Sequence, residues 1–382
     1  MKSSGSVAEI LVMLLIISLT AGNAFAAMPE KVAQAVAEGG VDLNQEPGFL
    51  GIPGAPRVNL ALAFLWAIFV GWIFSTVGAF GGVMAGVGHL TVFGLGDFAS
   101  SFKNTNPALN KLITDSIRVS NQWLVGFSAL ISTLNYYKMR RIVVPLGLAL
   151  GSGAVIGSLV TPILTAGKVS LKSYIGYFGL FTLLVGFVLL YESTPRAQTS
   201  KKKAAEAAKA FEAKVRELKE KGRLEEIERE GVHMRETSLA RVSFTFFGQE
   251  FSFNPLLPFF GGLVIGSLAS LLGVGGGFLY VPFLTSVVGL PYFIVAGTSA
   301  LTVLIGMIVS IFSYMAIKGI PVYWGLIGVE LLGVAIGSYI GPKTSKYFPE
   351  RYLKVLFAIL AFYVGIRYLT KGFLGRSLLP PY

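Results

Sequence analysis

Apolar residues come in long runs along this chain, and charged residues collect between them. In the first half the runs fall near 58–78, 80–95, 112–137, 142–164 and 172–191. In the second they fall near 255–272, 276–289, 292–317, 322–341 and 351–370. Several reach the roughly 20 residues an α-helix needs to cross the hydrocarbon core of a bilayer. Of 382 residues, 53% are hydrophobic and only 14% charged, where a soluble domain carries about 25% charged. The pattern predicts an all-α polytopic membrane protein whose first partner is the lipid bilayer.

Two runs are interrupted at corresponding places. Gly273, Gly275, Gly276 and Gly277 fall within five residues of the second half, and a weaker cluster, Gly78, Gly81, Gly82 and Gly86, lies in the first. Each interior glycine costs a helix about 1 kcal/mol relative to alanine, so both clusters predict a broken helix. Broken backbone at membrane depth is tolerated only against protein or a wet cavity. A matched pair of breaks near the bilayer midplane points to a transporter's binding site.

The halves also match residue by residue. Gly126 and Gly306, Gly153 and Gly333, Gly157-Ser158 and Gly337-Ser338, and Pro162 and Pro342 share one offset of 180 residues. The earlier glycines match at 195, Gly78 to Gly273 and Gly81-Gly82 to Gly276-Gly277. The polar interval at 96–110, expected as an exposed loop or a short interfacial helix, accounts for the difference. A match without gaps over some 40 residues signals duplication. Five segments per half is an odd number, which predicts two inverted repeats, at 58–191 and 255–370. Lys138, Arg140, Arg141, Lys343, Lys346 and Arg351 then fall on the cytoplasmic side, as the distribution of basic residues in membrane proteins favours. Lys168, Lys172 and Lys318 fall outside and run against it.

The remaining segments are read from composition. Residues 1–27 hold Lys2, an apolar core at 10–20 and Ala24-Phe25-Ala26 before Ala27. That arrangement is expected of a cleaved signal peptide or of an uncleaved N-terminal anchor. Residues 28–57, with Pro29, Pro47, Pro53 and Pro56, are expected as an irregular extracytoplasmic lead-in. Residues 192–254 hold 13 lysines and arginines and 9 glutamates between 196 and 241, with Phe211, Val215 and Leu218 at helical spacing. They predict a charged cytoplasmic linker helix, either a solvated connector or a partner-binding element. Residues 371–382 form a tail.

Composition narrows the chemistry. The chain has no cysteine and only two histidines, His89 and His233, so metal and nucleophile constellations have little to draw on. The net charge of +12 is ascribed to cytoplasmic loops; no basic-aromatic module suggests nucleic acid. The glycine cluster lacks the Lys-Ser/Thr of a phosphate loop, so no nucleotide and no other cofactor is implied, and an enzyme is not expected.

The run Gly273-Val274-Gly275-Gly276-Gly277-Phe278 with Val281-Pro282, then Gly297-Thr298-Ser299, and the Gly337-Ser338 segment resemble the TauE/SafE sulfite exporter family. The resemblance covers both repeats and is looser in the first, where Arg118 stands opposite Thr298. It implies a multi-pass protein of the inner membrane that moves sulfite, sulfonates and related small anions.

A compact oxyanion at membrane depth needs donors and positive potential without too deep a well. Gly275, Gly276 and Gly277, with Gly81 and Gly82 in the other half, either let an anion approach the start of a half-helix or permit close helix packing. Arg118 is a candidate anion ligand; the alternatives are snorkelling to the interface or pairing with Asp115 on the same helix face. Asn121, Thr298 and Ser299 offer neutral donors or helix-to-helix hydrogen bonds. His89 and Glu330 are candidates for carrying a coupling proton, or else are packed and hydrogen-bonded. The expected function is secondary transport of small sulfur-containing anions by alternating access. The rivals are a carrier of another small organic anion, a passive anion channel and a non-transporting scaffold. Oligomeric state is not legible.

Overall fold

The computed structural model describes residues 29–77, 81–192, 231–345 and 350–379, and within the linker residues 194, 206, 210–211, 213–214, 216–218 and 220–221. The expected leader at 1–27 and the first-half glycine Gly78 lie outside the described residues.

The first half contains α1 (Glu30–Ala37), α2 (Leu60–Val77), α3 (Gly81–Val87) with a wide turn (Gly88–Val92), α4 (Leu95–Ser101), α5 (Pro107–Lys138), α6 (Val144–Thr165) and α7 (Leu171–Glu192). The second contains α8 (Leu256–Leu272), α9 (Gly277–Pro282) with a wide turn (Phe283–Val287), α10 (Tyr292–Phe312) extended by another wide turn (Ser313–Ile317), α11 (Trp324–Ser345) and α12 (Glu350–Leu374). Among the described residues, four spans, Val144–Thr165, Leu171–Tyr191, Phe293–Ile317 and Trp324–Thr344, are long and apolar enough to cross a membrane. A fifth arises if Gly81–Val92 and Leu95–Ser101, bent by 57°, count as one.

Two segments differ from the sequence-based expectation, and a third takes one of the two forms expected of it. The lead-in is not wholly irregular: Val32, Ala35 and Val36 recur at i, i+3 and i+4, and α1 buries them. The polar interval near 96–110 is mostly helical. Asn106 caps α5, its side chain accepting from Leu109 N at 2.9 Å, and Pro107 takes the first turn, where its missing N–H costs nothing. The charged linker does not stay helical to 254. Val242, Phe244 and Phe246 alternate with Ser243 and Thr245, a period of two that favours a strand. The result is an antiparallel meander of β1 (His233–Thr237), β2 (Val242–Phe246) and β3 (Gln249–Phe253). Phe247 and Gly248, both at positive φ, close its second hairpin. The meander is tied to the bundle where Val232 N donates to Arg140 O at 2.7 Å. Phe211 of the linker, flanked by the Phe246 and Phe247 rings, packs on Phe293 with ring centroids 4.2 Å apart.

The halves exchange partners. Helix α2 packs along α11 and α8 along α6, while α7 lies against α12 and α5 against α10. The exchange is equivalent down to single atoms. A Cβ on Gly153 would stand 1.9 Å from Phe259 O, and one on Gly333 2.5 Å from Phe64 O. Gly157 and Gly337 approach Leu263 O and Ile68 O in the same way, at 2.6 and 2.0 Å. Gly71 meets Val334 O, and Gly266 meets Ala154 Cα. Each of these contacts maps onto its counterpart by the offsets of 180 and 195 residues. The glycines let backbones touch, which is how helices associate where lipid removes the hydrophobic drive.

Gly153→Ala and Gly333→Ala should therefore each lower stability by about 1–3 kcal/mol through overpacking. Gly325→Ala, whose Cβ would meet nothing closer than 3.6 Å, should be neutral. Thermal midpoints in one detergent test this, and a seam variant that melts with the parent would remove the argument.

Helix α5 threads the centre. Residues 113–122 are buried on every face, although they include Thr114, Asp115, Ser116, Arg118, Ser120, Asn121 and Gln122. Helix α10 runs antiparallel to it: Arg118 faces Tyr314, Trp123 faces Met315 and Gly126 faces Met307.

Candidate functional site

The two breaks meet beside α5. Helix α8 stops at Leu272, and Gly273, Gly275 and Gly276 take φ of 69°, 79° and 63°, which only glycine adopts freely. Gly277 then opens α9. A Cβ on Gly82 would lie 1.9 Å from Val274 O, on Gly275 2.1 Å from Val125 Cγ1, on Gly276 2.6 Å from Ala269 Cβ and on Gly81 2.5 Å from Val70 O. Gly273 leaves room for the Cα and carbonyl of Arg118, both 2.9 Å from where its Cβ would be. Gly82 and Gly273 thus let the two breaks and α5 meet backbone to backbone, while Gly81 and Gly276 fit each break against the helix before it.

Arg118 is fully buried. Its Nη1 donates to Asp115 Oδ1 at 2.6 Å and its Nη2 to Thr165 Oγ1 at 3.5 Å. Asp115 Oδ2 accepts from Gly167 N at 2.7 Å. The guanidinium lies 5.0 Å from the Tyr314 ring centroid and 5.9 Å from that of Tyr174, geometry in which a desolvated cation gains from the ring quadrupole. Tyr174 OH donates to Leu272 O at 2.7 Å, satisfying a carbonyl that the end of α8 leaves open.

A second polar group joins three residues from three elements. His89, in the wide turn after α3, faces Asn121 Oδ1 of α5 through Nδ1 at 2.6 Å and Glu330 Oε2 of α11 through Nε2 at 3.2 Å. All three are fully buried. With the amide oxygen towards the ring, Nδ1 carries a hydrogen and donates. One proton can then sit between Nε2 and Glu330, as imidazolium and carboxylate or as imidazole and carboxylic acid. Both forms are neutral as a pair, and removing the proton leaves one buried negative charge.

Thr298 and Ser299 lie elsewhere. Thr298 Oγ1 accepts from Val143 N at 3.1 Å, and Ser299 Oγ donates to Ala296 O at 3.1 Å. Val143 follows the far end of α5, about 30 Å along the helix from Arg118 at 1.5 Å per residue. The structure thus brings Gly82 and Gly275 onto α5 near Arg118 and Asn121, and joins Asn121 through His89 to Glu330, while Gly81 and Gly276 pack against the helices before their own breaks.

Sequence reasoning passed over Gln122, Tyr174 and Tyr314. Gln122 was accessible, because Asp115, Arg118 and Gln122 mark one face at i, i+3 and i+7. The tyrosines lie in apolar helices and carry no local signal.

Several buried groups here have no hydrogen-bond partner among the described residues: Arg118 Nε, Asn121 Nδ2, Ser116 Oγ, Ser120 Oγ, Gln122 Oε1 and Glu330 Oε1. All but the last belong to α5. Each group left without any partner would cost about 1–3 kcal/mol, so such a concentration calls for an explanation.

Apolar spans around a buried, ionisable centre with irregular backbone define a multi-pass membrane protein. The family model described as Sulfite exporter TauE/SafE matches residues 62–368, and the chain belongs to that family. It is similar to a probable membrane transporter protein of Methanocaldococcus jannaschii, 35% identical over 117 residues, 29% of this chain and 43% of that one. It is also similar to the probable membrane transporter protein YunE of Bacillus subtilis, 32% identical over 119 residues, 29% of this chain and 42% of that one. The matched stretch thus spans less than half the length of either relative. No solved structure matches the chain significantly.

Proposed function

We propose that the protein is a secondary transporter of small sulfur-containing anions, sulfite and sulfonates, in the cell inner membrane. It works by alternating access of two inverted halves. The observation that carries this reading is the concentration of unpartnered buried groups on α5, beside which both glycine breaks pack. Arg118 Nε and Asn121 Nδ2, three residues apart on one face of α5, are donors of the kind an oxyanion needs. The Asp115 carboxylate neutralises the guanidinium, so the site attracts an anion without holding it too tightly to leave. Gly82, Gly273 and Gly275 keep the backbone of both breaks close to that stretch of α5.

Inversion is supported by packing. Arg118 and Thr298 occupy the same repeat position on α5 and α10, yet lie towards opposite ends of that antiparallel pair. The reciprocal contacts of α2 with α11 and α8 with α6 are what an inverted duplication requires. His89 and Glu330 hold the coupling proton, and Thr298 and Ser299 serve the cytoplasmic end of the second half.

Sulfite flux in proteoliposomes tests the reading. Saturable flux that another sulfonate competes for supports it. Flux that neither saturates nor responds to counter-ions indicates a passive channel. Transport of carboxylates alone moves the substrate class, and silence towards all anions leaves a scaffold.

A further inference from the structure

A basin of about 480 Å³ opens at the end of the bundle where α5 begins. Three lysines from three separate elements line it: Lys31 of α1, Lys111 in the first turns of α5 and Lys318 in the turn after α10. Two carboxylates share the lining, Glu38 and Asp115. Asp115 is already committed, with Oδ1 on Arg118 and Oδ2 on Gly167 N. Lys111 and Lys318 form no ion pair with any described residue. The basin therefore presents three ammonium groups against the single uncommitted carboxylate of Glu38.

The walls are fixed in place. Lys31 Nζ donates to Lys318 O, which pins α1 over the turn after α10. Asn106, itself buried, donates to Ala35 O at 2.6 Å and to Gly39 O at 2.9 Å. Phe49 packs edge-on against Tyr323 at 5.9 Å. The segment before α2 is thus a docked cap that contributes one lysine of the three. Asp115 forms the floor, and Arg118 lies one turn further down α5. Lys111, Asp115, Arg118 and Gln122 therefore form a ladder at steps of three and four residues, about 5–6 Å apart, from the basin to the buried centre.

We propose that this basin is an outer anion-binding subsite, which takes a compact oxyanion such as sulfite or a small sulfonate before it passes to Arg118. The proposal rests on the anion-transport reading for its use. Ammonium groups are point charges on flexible stems, so they concentrate an anion and release it again without a rigid cage. The basin also gives Lys318 a reason to lie on the side where basic residues are disfavoured.

The test uses the full chain in proteoliposomes with sodium sulfite. Lys111→Gln and Lys318→Gln should each raise KM roughly three- to tenfold by weakening the local field, while Glu38→Gln should lower it. All three differences should shrink in about 1 M salt, where the Debye length is about 3 Å. Lys221→Gln, in the linker, is the control and should leave KM alone. Intact flux with unchanged KM in all three basin variants overturns the subsite and leaves the transport reading standing. If the parent moves no sulfite, that reading fails. The basin is then judged by the rise in thermal midpoint that sulfite gives over chloride at equal ionic strength. A rise that disappears in Lys111→Gln/Lys318→Gln upholds the subsite, and a rise that survives, or none in the parent, overturns it.

Discussion

Arg118→Met is expected to abolish anion flux and to destabilise the folded chain by about 3–5 kcal/mol, the cost of breaking a buried ion pair from one side. The size follows from what is left behind. The Asp115 side chain is 1% exposed, and without Arg118 its charge keeps only the Gly167 N–H. Tyr174 and Tyr314 lose the cation between their rings at the same time. Asp115→Asn alone should also destabilise, because it leaves the guanidinium buried against a neutral amide. The double variant Arg118→Met/Asp115→Asn buries no charge at that point and should recover most of the stability. It should not recover flux, because the buried site has lost its cation. Thermal midpoints and sulfite flux for the parent, both single variants and the double variant separate the two roles. A double variant with full flux would show that Arg118 serves only the fold.

The long helices were legible because apolar runs of membrane length admit few other conformations, and because four glycines in five residues cannot sit inside a stable helix. The seam glycines were legible as a duplication, although not as the contacts they make. Gly153 and Gly333 stand out in sequence only by their common offset; that each touches a carbonyl of the opposite half is a tertiary fact. The meander at 233–253 was hidden by the charge preceding it, although Val242, Phe244 and Phe246 alternate plainly once the window is narrowed. The start of α5 was also available: Asn106 before Pro107 is a cap followed by the residue best suited to a first helical turn. The partners of Arg118 divide by distance. Asp115 lies on the same helix face, which its spacing shows, whereas Tyr174 and Tyr314 reach the guanidinium from other helices. His89 and Glu330 are 241 residues apart, and each stands out separately as an ionisable residue inside an apolar segment. Their contact could not have been read from either neighbourhood.

That contact leads to the second large effect. Glu330→Gln and His89→Gln should each remove the response of sulfite flux to an imposed pH gradient, while exchange of sulfite for sulfite continues. A glutamine at 330 can hydrogen-bond to Nε2 but cannot give up or take a proton, so the pair no longer switches between a neutral and a negative state. In the parent, the pair joins the turn after α3 to α11, and its charge therefore bears on how those elements hold together. The flux of the parent should therefore vary with pH, and that dependence should be lost in both variants. Glu330→Leu separates loss of coupling from loss of structure. It leaves His89 Nε2 buried without a partner at a cost of about 1–3 kcal/mol, a loss that Glu330→Gln avoids. A Glu330→Gln protein that follows the gradient as the parent does would rule the pair out as the coupling site. A parent indifferent to the gradient would make it a structural bridge between α3, α5 and α11.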